Sequence, residues 1–151
     1  MIEWVNTKEI SIFFDDIPHI KMRYALPSTP KGEIISIELY PFICTKTFKV
    51  AIFDKLKMKK YHFTINKGYC YDGCTIPRFL WSLIGISKES NKGMIASCIH
   101  DELCENHHLI NNDRRLSSII LRELFIQGGI PRWKAYIMSE FVDLFQRFCK
   151  W

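Results

Sequence analysis

KKYHFTINKGYCYDGCTIPRFLW, from Lys59 to Trp81, is where the chain changes its period. In its first part Tyr61, Phe63 and Ile65 fall on one face, with His62 and Thr64 on the other, which is the two-residue repeat of a half-buried strand. His62 is therefore expected at a solvated strand position. From Gly68 onward glycine, aspartate and proline interrupt the alternation. Asp72-Gly73 is a turn signal, and Pro77 suits the first turn of a short helix over Phe79 to Ile84, ended by Gly85. The chain before this stretch reads as strand, and the chain after it reads as helix.

Working back, ISIFF (Ile10 to Phe14), HIKMRYAL (His19 to Leu26), EIISIELY (Glu33 to Tyr40) and FKVAIF (Phe48 to Phe53) are short segments rich in β-branched and aromatic residues, separated by turn material. With YHFTI they predict an antiparallel meander of four to five strands. Working forward, Ser90 or Asn91 is placed to cap a helix from about Lys92 to Asn106, with Ile95, Ile99 and Leu103 as its apolar stripe. Asn111 and Asn112 are the cap candidates for a helix through about Gln127, which Gly128 and Gly129 end. Pro131 opens a last helix whose stripe, Trp133, Ile137, Phe141, Leu144 and Phe148, is expected in the core. A sheet and then helices give an α+β fold: an N-terminal antiparallel β-meander, about residues 1–66, packed on a bundle of three to four helices within 68–151. The 151 residues are expected to form one domain.

The composition excludes little by itself. Hydrophobic residues at 48% and aromatics at 14% suit a packed globule. The net charge of +5 is modest and its basic residues are scattered, so there is no strong nucleic-acid signal. No apolar run is long enough for a membrane span. MIEWVNTKEI lacks the basic start and apolar block of a signal peptide, so a cytoplasmic location is expected. The six cysteines (Cys44, Cys70, Cys74, Cys98, Cys104, Cys149) are then expected as free thiols. Cys70-x3-Cys74 and Cys98-x5-Cys104 do not have the short zinc-knuckle spacing.

Two stretches concentrate polar chemistry, YDGCTIPR (Tyr71 to Arg78) and CIHDELC (Cys98 to Cys104). Ala96, His100 and Cys104 recur every fourth residue and form one stripe beside the apolar one, which places His100 on the shoulder of its helix. Asp101 points about 100° away from His100, so the two cannot be a catalytic pair with each other. They can serve one site in different tasks, the histidine accepting a proton and the carboxylate holding a cation such as calcium. The loop could bring Asp72 toward such a cation or toward the imidazole, with Thr75 capping the next segment. The same residues also read as a capping turn anchored by Tyr69, Phe79 and Trp81. A thiol–imidazole pair of His100 with Cys98 or Cys104 is a further reading, though no oxyanion element is identifiable. His107 and His108 read as solvated.

GYCYDGCTIPRFLW and then IASCIHDELC resemble the signature of a family of short phage and bacterial proteins catalogued only as a domain of unknown function. That pattern runs Gly-x-x-x-Asp-Gly-x-Ser-x-Pro-Arg-x-x-Trp, then His-Asp-x-Leu-Tyr on a helix, then Arg-x-x-Ala-Asp-x-x-Phe on another; here it spans about Gly68 to Gly129. More loosely the helices resemble the phospholipases A2. There a Cys-x-x-His-Asp helix supplies the base and a calcium ligand, and a second, antiparallel helix supplies an aspartate to the histidine. The resemblance implies His100 as general base on water, Asp101 as metal ligand, and the Tyr71–Gly73 loop in the place of the calcium loop. It also implies calcium as the metal held there; as a cofactor for the chain, a divalent metal, calcium or zinc, is the open expectation. Antiparallel pairing about a turn near residue 109 puts Ser118 where an aspartate is expected, and Cys104 replaces a tyrosine. Asp72 is the remaining carboxylate to complete the site.

The resulting expectation is a phage-related hydrolase with His100, Asp101 and Asp72 as the catalytic set. Tyr71, Thr75, Arg78, Trp81, Ser118 and Cys104 support it, and Asp101 and Asp72 are the metal ligands if a metal takes part. The alternative is a non-enzymatic virion or host-protein-binding protein in which the His-Asp site is vestigial. The sequence discloses neither substrate nor oligomeric state.

Overall fold

The computed structural model describes residues 1–71 and 91–148. In chain order the described elements are β1 (Ile2–Asn6), β2 (Ile10–Phe14), β3 (Ile20–Met22), α1 (Lys31–Leu39), β4 (Phe42–Cys44), β5 (Phe48–Asp54), β6 (Lys59–Ile65), β7 (Cys70–Tyr71), α2 (Asn91–Glu105), a short 3-10 turn (His107–Ile110), α3 (Arg114–Gln127) and α4 (Arg132–Phe148). The fold is α+β, strands first and helices after. The short helix expected after Pro77 and the cap expected at Ser90 lie outside the described residues.

The strands form two antiparallel sheets, not one meander: β1-β2-β5-β6 and β3-β4-β7. Alternation in β5 and β6 builds the first. Val50 faces Phe63 and Ile52 faces Tyr61 across the pair, and the buried set Phe48, Val50, Ile52, Tyr61, Phe63 and Ile65 results from that register. His62 and Thr64 are exposed, as expected. Phe14 of β2 meets Phe48 edge-on at 5.5 Å. One hydrophobic cluster joins these strands to Ile99 and Leu103 of α2 and to Leu116, Ile120, Leu121, Leu124 and Phe125 of α3.

EIISIELY is helical, contrary to the expected strand, and the reason lies elsewhere in the chain. Pro30 starts α1, and its carbonyl accepts from the Glu33 and Ile34 amides. At the other end the Arg23 guanidinium donates to the Ser36 carbonyl (3.3 Å), the Ser36 hydroxyl (3.2 Å) and the Tyr40 carbonyl (3.0 Å). A cation thus satisfies carbonyls at the negative end of the helix. No residue of α1 is buried.

The helix ends obey their signals, with one substitution of role. Asp113, not Asn111 or Asn112, caps α3, its carboxylate accepting from the Leu116 amide at 3.0 Å. The two asparagines instead take positive φ, 55° and 58°, in the turn before it. Gly129, at φ 98°, closes α3, and the Pro131 carbonyl accepts the first bond of α4 from Ala135.

The stripe of α4 faces the other way from the expected one. Ala135, Met138, Ser139, Val142 and Gln146 are buried against the fold. Trp133, Ile137, Phe141, Leu144 and Phe148 are exposed, by 41% to 72%. Ala135, Ser139 and Val142 on the inner face, with Ser117 and Ser118 buried on α3, let the two helices pack closely, which the larger apolar residues would prevent. Arg122 of α3 secures the contact, pairing with Glu9 at 3.1 Å and lying 4.4 Å from the ring centre of Tyr136.

Candidate functional site

α2 carries the site because it is enclosed on more than one side. Tyr71 of β7 donates its hydroxyl to the Met94 carbonyl at 2.7 Å and stacks on Phe42 and Tyr69. This fixes the start of α2 to the second sheet. On another face α3 packs along the helix and Gln146 of α4 reaches in to it, so the shoulder position expected for His100 becomes an interior one. His100 is 1% exposed and Asp101 4%.

Among the described residues, two side chains lie within bonding distance of the imidazole. Cys104, one turn on, places Sγ 3.6 Å from Nδ1 and 3.8 Å from Nε2. Gln146 of α4 places its amide nitrogen 3.3 Å from Nε2 and 3.0 Å from the Cys104 sulfur. With that amide donating to Nε2, the ring proton is on Nδ1, away from Gln146. Burial alone pushes the His100 pKa down to about 4, so the ring is neutral across the physiological range. The sulfur is nearly equidistant from both nitrogens and so lies across the ring, out of line with either lone pair. That geometry differs from the hydrogen bond of a base-activated thiol. Cys98 is fully buried and burial pushes its thiol pKa well up, which makes it a packing residue. Cys44, Cys70, Cys98 and Cys104 are free thiols.

Ser118 is turned elsewhere. Its hydroxyl reaches Asp143 Oδ1 at 3.3 Å and the Arg114 carbonyl at 3.5 Å, and Asp143 in turn pairs with Arg114 and Arg115. Among the described residues, the side chain that reaches His100 from another helix is Gln146 of α4. Gln146 is hidden in the sequence because the large apolar stripe points the opposite face of α4 inward. Its signal was the spacing of Ala135, Ser139, Val142 and Gln146 along one helix face.

Tyr69 is a second addition. Its hydroxyl is buried and finds no hydrogen-bond partner among the described residues. Burial, then the carboxylates of Glu105, Asp101 and Glu102, push the phenol pKa up, so Tyr69 is a neutral O–H donor beside the acidic edge of α2. Glu102 is raised by its own burial and by Glu105. His107 is half-buried and His108 exposed in the 3-10 turn. Asp72, Thr75, Arg78 and Trp81 lie outside the described residues, and so does any distance from Asp72 to His100. Among the described residues no three His, Cys, Asp or Glu side chains converge as a metal-ligand group.

The chain is thus an α+β protein with a buried histidine–aspartate helix held between a small sheet and two further helices. Residues 50–142 match the family model described as "Protein of unknown function (DUF1353)", and the chain belongs to that family. The matched span includes Tyr71, His100, Asp101, Cys104 and Ser118, and stops short of Gln146. No curated protein matches the chain, and no solved structure does. Among the described residues no helix is long and apolar enough to cross a membrane.

Proposed function

We propose that the chain is a phage-related hydrolase in which His100 accepts a proton from an attacking water. The observation that carries this reading is the setting of His100, a wholly buried imidazole kept neutral among polar side chains, with a buried carboxylate next to it in sequence. Perturbed titratable groups of this kind concentrate at functional sites. The neutral ring has its accepting lone pair on Nε2, where the Gln146 amide donates, so proton transfer from water requires that amide to give up its bond. A pKa of about 4 makes it a weak base, so the reading assigns Asp72 the stabilisation of the imidazolium that forms during proton transfer. Asp101 and the Tyr69 hydroxyl are assigned to hold the substrate or the water. Cys104 and Gln146 orient the ring.

The test is a panel of ester, phosphodiester and amide substrates with His100→Ala, Asp101→Asn, Asp72→Asn and Cys104→Ala. Activity in the wild type, lost by about a hundredfold or more in the first three and lowered by no more than about tenfold in the fourth, where only an orienting contact is removed, is the expected result. Loss in Cys104→Ala alone would move the chemistry to the thiol. Calcium or zinc bound stoichiometrically to the purified protein, and lost in Asp101→Asn, would add a metal to the site.

One observation favours a second reading, in which the chain binds a host or virion protein and the buried cluster is structural. His100 and Asp101 are only 1% and 4% exposed, so the cluster lies beneath the surface that a substrate would have to reach. Inactivity of the wild type on every substrate class, together with an unchanged biological effect of His100→Ala, would favour it.

A further inference from the structure

The exposed face of α4 has an internal symmetry. About a point between Glu140 and Phe141, Trp133 mirrors Phe148, Tyr136 mirrors Phe145, and Ile137 mirrors Leu144. All six, and Phe141 at the centre, are exposed large hydrophobics, from 37% at Tyr136 to 72% at Phe148. At 100° per residue, Trp133, Ile137, Phe141, Leu144 and Phe148 fall within about 40° of the line through Ile137, a single straight seam. Tyr136 and Phe145 border it on opposite edges. So do the cations Lys134 and Arg147, each over its neighbouring ring, at 5.5 Å and 5.4 Å.

We propose that this seam is a two-fold interface, in which α4 pairs antiparallel with α4 of a second copy of the chain. An isologous contact requires a surface that is complementary to itself after a half-turn, and a mirrored apolar spacing provides that. Antiparallel pairing sets Trp133 against the second copy's Phe148 and Ile137 against its Leu144, with Phe141 near its own counterpart at the axis. Lys134 and Arg147 occupy mirrored positions on opposite edges, so they do not face each other across the axis. Glu140, the one charge at the centre, is already paired with Arg115 at 2.8 Å.

The area is adequate. Seven side chains of roughly 200 Å² each, about half exposed, offer about 700 Å² of apolar surface per copy. A standard interface takes about 800 Å² from each partner, and the largest apolar patch on a typical monomer is about 300–600 Å². The mirrored spacing singles out a second copy from other occupants, because neither an unrelated partner nor a lipid surface calls for it.

Sedimentation equilibrium of the full chain, from about 1 to 100 μM, tests the proposal. A dimer is expected in the wild type. Phe141→Glu and Ile137→Glu, both on the exposed face, are expected to weaken it by about a hundredfold or more while leaving the far-ultraviolet circular dichroism unchanged. Direction is read by oxidative cross-linking in a background with Cys70, Cys74 and Cys149 changed to serine. Phe141→Cys should link two copies. Trp133→Cys should not, since antiparallel pairing separates the two 133 positions by about 22 Å along the axis. A monomer at 100 μM, a dimer indifferent to both glutamate substitutions, or linkage at 133 in place of 141 would each overturn the proposal. So would a monomer that binds anionic lipid vesicles through the seam.

Discussion

Acidification should destabilise this protein earlier than its carboxylates would by themselves, and His100 should be the reason. The imidazole is wholly buried and its pKa is about 4, against 6.5 in an unfolded chain. Between those values the unfolded chain holds a proton that the folded one does not, so stability falls as pH falls. The effect is absent well above pH 6.5, grows through the window from 6.5 to 4, and is constant below it. Each unit of difference corresponds to about 1.4 kcal/mol, which gives a loss of about 2 kcal/mol between pH 7 and pH 5 and about 3 kcal/mol by pH 4. Urea unfolding of the wild type and of His100→Gln, at half-unit steps from pH 7.5 to 4.5, isolates the contribution, because other groups titrate alike in both. The difference between the two proteins should shrink by about 2 kcal/mol on going to pH 5. A difference constant to within about 0.5 kcal/mol would refute the reasoning. It would mean that a negative group stabilises the imidazolium in the resting protein, and restoration of the slope by Asp72→Asn would identify that group.

Two further outcomes rest on single contacts. Tyr71→Phe removes the 2.7 Å bond to the Met94 carbonyl but keeps the stacked ring, and should cost about 1–1.5 kcal/mol in urea unfolding. Arg23→Ala removes the cation at the end of α1, and amide exchange should show protection lost over Lys31–Leu39; because α1 has no buried residue, the melting temperature should move by under about 2 °C.

Local signals carried most of the fold. The alternation of Tyr61, Phe63 and Ile65 places β6 because one face of that strand is buried and the other wet. The stripe Ile95, Ile99 and Leu103 and the Gly128-Gly129 stop mark their helices for equally local reasons. The failures occur where distant residues decide. EIISIELY is short and apolar enough to suit either state, and Arg23, from an earlier segment, completes its helix. In α4 two faces compete for the interior, and the one of small residues is chosen because α3 is close. Hydrophobicity, which ranks Trp133 above Ala135, cannot reveal that. His100 and Asp101 were legible as a pair of interest, but their depth was not, since it depends on three neighbouring elements closing around α2. Gln146 shares the same cause, because a residue that meets the site from forty-six positions away leaves no spacing to read.

The position of β5 has a practical consequence. It lies between β2 and β6, bonded to both, and Tyr71 is bonded through its strand to Phe42. The span common to the family begins at residue 50, so a fragment cut to that span would lose β2, β4 and the first residues of β5 itself. The remainder of β5 would become a raw edge, with Val50 and Ile52 uncovered and a row of unpaired backbone groups ready to recruit another chain. Residues 1–49 thus act as a cover for the sheet, and a fragment without them is expected to aggregate however well its helices form.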